Sequence, residues 1–244
     1  MPDQEAASPR RVLITGASSG IGQAIARAFA QAGFDVALAA RSQAKLTALA
    51  QELSIAGVQA QDFAIDLAAL DQVKAKMAQI ISQFGPIDVL VNSAGMGYTG
   101  SLAEMPLADW QQVMALNVTS VFLVVQAILP GMRERADGLI VNIASIAAQQ
   151  SFVDWGAYGV SKAALAALSG AIAAEESAYG IRVVTLFAGA VNTPIWDSDT
   201  VQADFDRTAM LSPETVAQTV LHIALLPPSA VISHLTITPA QGAL

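Results

Sequence analysis

The chain has 244 residues, 54% of them hydrophobic and only 13% charged, with a formal charge of −8. That balance excludes a nucleic-acid surface, which rests on basic phosphate contacts, and a polybasic membrane anchor. The lack of cysteine excludes disulfides and thiolate chemistry, and the two histidines, His222 and His234, lie too far apart to share a helical turn, so no metal site is expected.

Residues 1–9 have no apolar signal core and read as a flexible arm, so a cytoplasmic location is expected. The run "RVLITG" from Arg11 predicts a buried strand entering a glycine turn, and "GQAIARAFAQAG" a helix ended by Gly33. "DVALAAR" is a second strand, and Ser42 stands as N-cap of a helix through Leu53. A third strand is expected near 58–65 and a helix over 70–84. "IDVLVNSAG" is a fourth strand, followed by a long helix over 107–132.

No charged residue occurs from Trp110 to Met132, which raises the question of a membrane span. Gln111, Gln112, Asn117, Thr119, Ser120 and Gln126 interrupt it, and no other segment is expected to resemble it. It reads as a helix buried within or between soluble subunits, in keeping with the few charges on the chain.

"GLIVNIAS" is a fifth strand, and the helix carrying Tyr158 and Lys162 follows. "IRVVTLFAG" is a sixth strand, Ser212 and Pro213 open another helix, and "HLTITPA" is a seventh strand. Strands alternating with helices predict one α/β domain over 1–244, a doubly wound, Rossmann-type, seven-stranded parallel sheet with helices on both faces. Residues 195–212 read as a substrate lid whose aspartates are solvated.

Ligands of such sheets bind beyond the carboxyl ends of the strands. After strand one stands "TGASSGIG", with Gly16, Ser18, Ser19, Gly20, Ile21 and Gly22. Glycines there turn the backbone tightly and bring a phosphate to a helix N-terminus. After strand two come Ala40, Arg41 and Ser42, with no carboxylate to repel a 2′-phosphate, so NADP(H) is expected over NAD(H). After strand three, Asp66, beside Leu67, either accepts from the adenine amino group or caps the next helix. After strand four comes "NSAG", Asn92 to Gly95, whose small residues, Ala94 among them, let backbone pass close to a ribose. Ser145 ends strand five. Tyr158 and Lys162 share a helical face at i and i+4, and the ammonium is expected to lower the phenol's pKa.

In this order and spacing, "TGASSGIG", "NSAG", Asn117, Ser145 and "YGVSK" resemble the short-chain dehydrogenase/reductase family, from Arg11 to about Pro239. The resemblance implies a nicotinamide cofactor and hydride transfer at a carbonyl carbon. It makes Tyr158 the general acid, with Ser145 on the same oxygen, and Lys162 the holder of the nicotinamide ribose. Asn117 would sit at a break in the long helix, its carbonyl or side chain holding a water. It also places Gly189, Val191 and Thr193 against the cofactor and implies a homotetramer or dimer. Ala188-Gly189 stands where relatives often carry Pro-Gly, which leaves that loop without its usual stiffening.

Met96, Tyr98, Phe152, Val153, Trp155, Ile195 and Trp196 are expected near the catalytic strand ends, with Met96, Phe152, Trp155, Trp196 and Ser145 as substrate contacts. A small lipophilic ketone or aldehyde is the expected substrate. A 3-oxoacyl thioester is the alternative, docking through Arg133 and Arg135, and a non-catalytic NADP-binding sensor is a third reading.

Overall fold

The computed structural model describes residues 9–242, so apart from Pro9 the expected arm lies outside the described residues. Seven strands, β1 (Arg11–Thr15), β2 (Asp35–Ala40), β3 (Ala60–Ala64), β4 (Val89–Asn92), β5 (Gly138–Ser145), β6 (Ile181–Ala188) and β7 (His234–Ile237), form one sheet. Its order is β3-β2-β1-β4-β5-β6-β7, and every pairing is parallel. The order reverses between β1 and β4, so a crevice opens there at the strands' carboxyl ends.

Helices cover both faces because alternate strand residues face opposite sides. Val12 and Ile14 pack with α1 (Gly20–Gln31), α2 (Gln43–Ser54) and α7 (Pro213–Ala224). Leu13 packs on the other side with α3 (Leu70–Phe84), α5 (Ser120–Arg135) and α6 (Gly156–Glu176). The remaining helix, α4 (Leu107–Met114), runs into α5 through a π-helical turn, Ala115–Thr119.

Several ends follow from local chemistry. Gly33, at φ 84°, lets α1 close with Gly33 N–H on the Ala30 carbonyl and Phe34 N–H on that of Phe29. The rings of Phe29 and Phe34 then meet edge to face at 4.9 Å, sealing that end. Ser212 caps α7 through Thr215 N–H, whereas Ser42 stands at the start of α2 without a side-chain cap bond.

The sequence reading found one long apolar helix, but α6 with its following turn, Gly156–Tyr179, is also long and apolar enough to span a membrane, as is Leu107–Arg135. Both lie against the sheet through Val121, Val124, Val125, Leu165 and Ile172. Short of their last turns, where Arg133, Glu134, Arg135 and Glu175 are exposed, their outer faces are uncharged: Phe122, Gln126 and Pro130 on α5, and Val160, Ala163, Ala167, Gly170 and Ala174 on α6 are exposed.

Candidate active site

A buried polar chain aligns α6 with the sheet. Asn92 donates to Asn142 at 2.8 Å, Asn142 donates to Ser169 at 2.7 Å, and Ser169 donates to the Leu165 carbonyl at 2.7 Å. Asn92, expected at the cofactor, instead turns inward and joins β4, β5 and α6.

This alignment brings Tyr158, in the first turn of α6, beside Ser145 at the end of β5. Gly159 permits the approach, since a Cβ there would stand 3.0 Å from the Ala147 carbonyl oxygen. Ser145 Oγ accepts from Ala147 N–H at 3.1 Å, which holds the serine at the head of a short turn. Four residues on, Lys162 is buried and donates to the Ile143 carbonyl at 2.9 Å. Its Nζ lies over the Tyr158 ring, 5.8 Å from the centroid.

The electrostatics differ from the sequence expectation. Burial raises the phenol's pKa, and the Ser145 hydroxyl offsets only part of the rise. Burial also lowers Lys162 to about 8. The two groups share a face, but the ammonium is held by a carbonyl above the ring and does not meet the hydroxyl, so the expected fall in the phenol's pKa is absent.

Asn117 sits in the π-helical turn and is fully buried. Its Oδ1 accepts from Met96 N–H at 2.9 Å, and its Nδ2 donates to the Met96 carbonyl at 2.9 Å and to Ser161 Oγ at 3.0 Å. Ser161 in turn donates to the Tyr158 carbonyl at 2.7 Å. The side chain is therefore committed to protein partners.

Two cavities open beside these residues and meet at Ile21, Ser93, Gly95, Thr193 and Ile195. One, about 370 Å³, is a groove lined by Gly16, Ser18, Ser19, Gly20, Ile21, Ala40, Arg41, Asp66, Leu67, Ala94 and Gly95. Its glycines suit a ligand that approaches the backbone: Gly16 and Gly20 take φ 70° and 54°, and a Cβ on Gly95 would stand 3.4 Å from Lys162 Nζ. Asp66 accepts from Ala68 N–H at 3.0 Å, shaping a turn before α3 while still facing the groove. Arg41 is exposed there and pairs with no carboxylate among the described residues.

Gly22 and Ser42 do not line the groove. Gly22 packs the helix against the turn, since a Cβ would come within 2.4 Å of the Gly16 carbonyl oxygen.

The other cavity, about 390 Å³, is a chamber holding Ser145, Tyr158, Lys162, Phe152, Val153, Trp155, Gly189, Val191, Thr193, Ile195 and Trp196. Met96, expected there, lines the groove instead. Tyr98 lines neither and donates to Asp109 at 3.0 Å. Sequence reading missed Phe205, Ile146 and Ala147 in the chamber. Phe205 carried a signal, as the one large apolar side chain between two aspartates of the lid.

The lid is a fastened segment. Thr200 Oγ1 donates to the Gly97 carbonyl at 2.7 Å, Thr99 N–H to the Thr200 carbonyl at 2.9 Å, and Gln202 N–H to Thr99 Oγ1 at 2.7 Å. Arg207 donates to Asn192, Thr193 and Asp197, and Asp206 caps its own turn, so neither aspartate is merely solvated. The loop after Ala188 is anchored by Gly189 N–H on the Ile237 carbonyl at 2.8 Å.

A glycine-turned groove at the sheet's switch point, opening onto a serine, a tyrosine and a lysine, defines a dinucleotide-dependent oxidoreductase. Residues 10–204 match the family described as short chain dehydrogenase, and the chain belongs to it. A putative ketoacyl reductase of Streptomyces coelicolor is 37% identical over 208 residues, 80% of this chain and 79% of that protein. An alcohol dehydrogenase of Thermococcus sibiricus, solved with 5-hydroxy-NADP, superposes with a TM-score of 0.87 at 28% identity, covering 96% of this chain and 97% of that one. L-sorbose reductase of Gluconobacter frateurii, solved with NADPH and L-sorbose, gives 0.86 at 31% identity, covering 95% and 96%.

Proposed function

We propose that this oxidoreductase uses NADPH to reduce uncharged, apolar ketones or aldehydes. The observation that carries the substrate class is the chamber wall. Among the described residues no arginine and no carboxylate lines it, and its polar side chains gather at the floor, in Ser145, Tyr158 and Lys162, and at Ser93 and Thr193 on the shared rim. A substrate acid would find no cation there except Lys162, which already donates to the Ile143 carbonyl, and a polyol such as sorbose would leave most of its hydroxyls without partners.

The groove fits the cofactor: the glycine turn suits the pyrophosphate, and Arg41 suits a 2′-phosphate, in keeping with the relatives solved with NADPH or 5-hydroxy-NADP. When bound, NADPH supplies hydride to the carbonyl carbon. Tyr158 gives its proton to the carbonyl oxygen as negative charge develops there, and Ser145 donates to the same oxygen. A phenol with a raised pKa is protonated at neutral pH and so ready to act as an acid. Lys162, held from the Ile143 carbonyl beside Gly95, holds the ribose, and the Ser145 hydroxyl eases the tyrosinate that is left.

The oxoacyl thioester reading loses its docking cations. Arg133 is bidentate on the buried Glu176 and stacks on Tyr179, and Arg135 binds the Ile87 carbonyl and Asp88. The uncharged stretches on the outer faces of α5 and α6 support assembly into a homotetramer or dimer, which light scattering of the purified protein would test. NADPH oxidation across a panel of ketones, oxoacyl thioesters and a no-substrate control tests the reading. Turnover confined to thioesters would replace it, and binding with no oxidation on any compound would make the protein a sensor.

A further inference from the structure

Four aromatic rings form a row along the chamber. Trp155 meets Tyr158 edge to face at 5.4 Å, Trp196 meets Trp155 at 5.6 Å, and Phe205 meets Trp196 at 5.4 Å. The interplanar angles are 70°, 67° and 84°, so each ring turns its edge toward its neighbour's face. All four rings line the same cavity, and the row runs from the hydroxyl at the floor to Phe205 at the rim, 37% exposed.

The row is also fixed. The Trp196 indole N–H donates to the Val191 carbonyl at 2.8 Å, so the polar edge of that ring is used internally. The residue two positions on, Ser198, donates to the Ile195 carbonyl at 2.8 Å, and Arg207 ties the same turn through Asp197. What Trp196 offers a ligand is therefore carbon π surface at a set angle. An aliphatic chain gains nothing specific from such a wall. A flat ring gains the edge-to-face contact that the wall's own members already make.

We propose, resting on the ketone reductase reading, that the substrates carry an aromatic ring close to the carbonyl, and that Trp155 and Trp196 set the specificity for it. With the carbonyl oxygen at Tyr158 and Ser145, the part of the substrate next to the carbonyl lies against Trp155, and the part beyond it against Trp196. Phe205 closes the outer end.

The test compares benzylacetone with its ring-saturated analogue. Two methylenes insulate the carbonyl from the ring, so both ketones have the same intrinsic reactivity. The saturated ring is the more hydrophobic of the two, so burial alone favours it or leaves the pair equal. Aromatic recognition predicts the opposite: kcat/KM for benzylacetone about tenfold higher, carried by KM and equivalent to about 1.4 kcal/mol. Trp155→Leu and Trp196→Leu should each bring the ratio toward one.

Leucine at 196 forfeits the bond to Val191, so Phe205→Leu, on the exposed end of the row, serves as the variant whose folding is not at stake. Its ratio should fall about twofold. A wild-type ratio of one or less, or a ratio unmoved in all three variants, overturns the inference while leaving a ketone reductase in place. Failure to oxidise NADPH with either compound or with butanone removes the reductase reading, and this one with it.

Discussion

The groove and the chamber are nearly equal in volume, about 370 and 390 Å³, and share Ile21, Ser93, Gly95, Thr193 and Ile195, yet they are built by different means. The groove is made mostly of short runs at the ends of β1, β2, β3 and β4, closed by Leu116 and by Thr193, Pro194, Ile195 and Ser198, and much of its lining is glycine and serine. The chamber is made of side chains, mostly apolar, from two long segments, 143–162 and 188–205. Backbone recognises what every dinucleotide has in common, whereas side chains recognise what distinguishes one ketone from another. Substitutions on the two sides should therefore separate: the groove should move cofactor constants and the chamber ketone constants.

The largest effect is expected at the chamber floor. Tyr158 lines the chamber and not the groove, and Tyr158→Phe removes the acid while keeping the ring against Trp155. Turnover should drop by about a hundred- to ten-thousandfold. NADPH affinity, followed by fluorescence titration, should stay within a few-fold. Near-normal turnover would remove the phenol from the chemistry.

Arg41→Ala sharpens the separation. Hydrogen bonds to a charged group are worth about 1.5–3 kcal/mol, so the KM for NADPH should rise about ten- to a hundredfold. The KM for NADH and for the ketone should not follow. A matching rise for NADH would mean that Arg41 acts on the adenine and not on a 2′-phosphate.

The third effect is on stability. Lys162 has its pKa lowered by burial from 10.5 to about 8. Between those values the unfolded chain holds more protons than the folded one, so stability rises with pH across that window. From pH 8 to pH 10 the gain is on the order of 2 kcal/mol. Lys162→Met lacks this titration, so in urea melts without cofactor wild type should gain stability relative to the variant by about that amount as pH rises from 8 to 10. Taking the difference cancels the opposing titration of Tyr158, whose pKa is raised and which both proteins share. Parallel pH profiles would mean that the lysine reaches water in the fold.

The same contrast decides how much was legible in the sequence. The seven parallel strands could be read from their alternation with helices, and the groove because the strand ends carry short motifs: "TGASSGIG" forms the turn at Gly16 and Gly20, and "NSAG" puts Gly95 against Lys162. The misplaced residues failed for a different reason. Asn92 and Gly22 sit inside those motifs but point into the packing, and nothing in a motif tells which of its members face the ligand. In the chamber, Trp155, Trp196 and Phe152 were placed, but Phe205 was not, because a lid with little regular structure has no periodicity to read. The phenol's pKa was misjudged because spacing alone gives proximity, whereas the sign depends on burial and on the carbonyl that holds the ammonium.

The smallest effect concerns the seam itself. Arg207 donates to Asn192 Oδ1 at 2.8 Å, to Asp197 Oδ1 at 2.9 Å and to the Thr193 carbonyl at 3.0 Å. The Arg207 side chain is 35% and the Asp197 side chain 65% exposed, so their ion pair contributes at most about 1 kcal/mol, and Arg207→Met should leave the melting temperature nearly unchanged. Its target is Thr193, which borders both cavities, as does Ile195 two residues on. Releasing that turn should raise the KM for NADPH and for the ketone together, each about threefold, where Arg41→Ala moves only the first and Trp196→Leu only the second. A rise in one constant alone would assign the turn to a single cavity and break the symmetry of the seam.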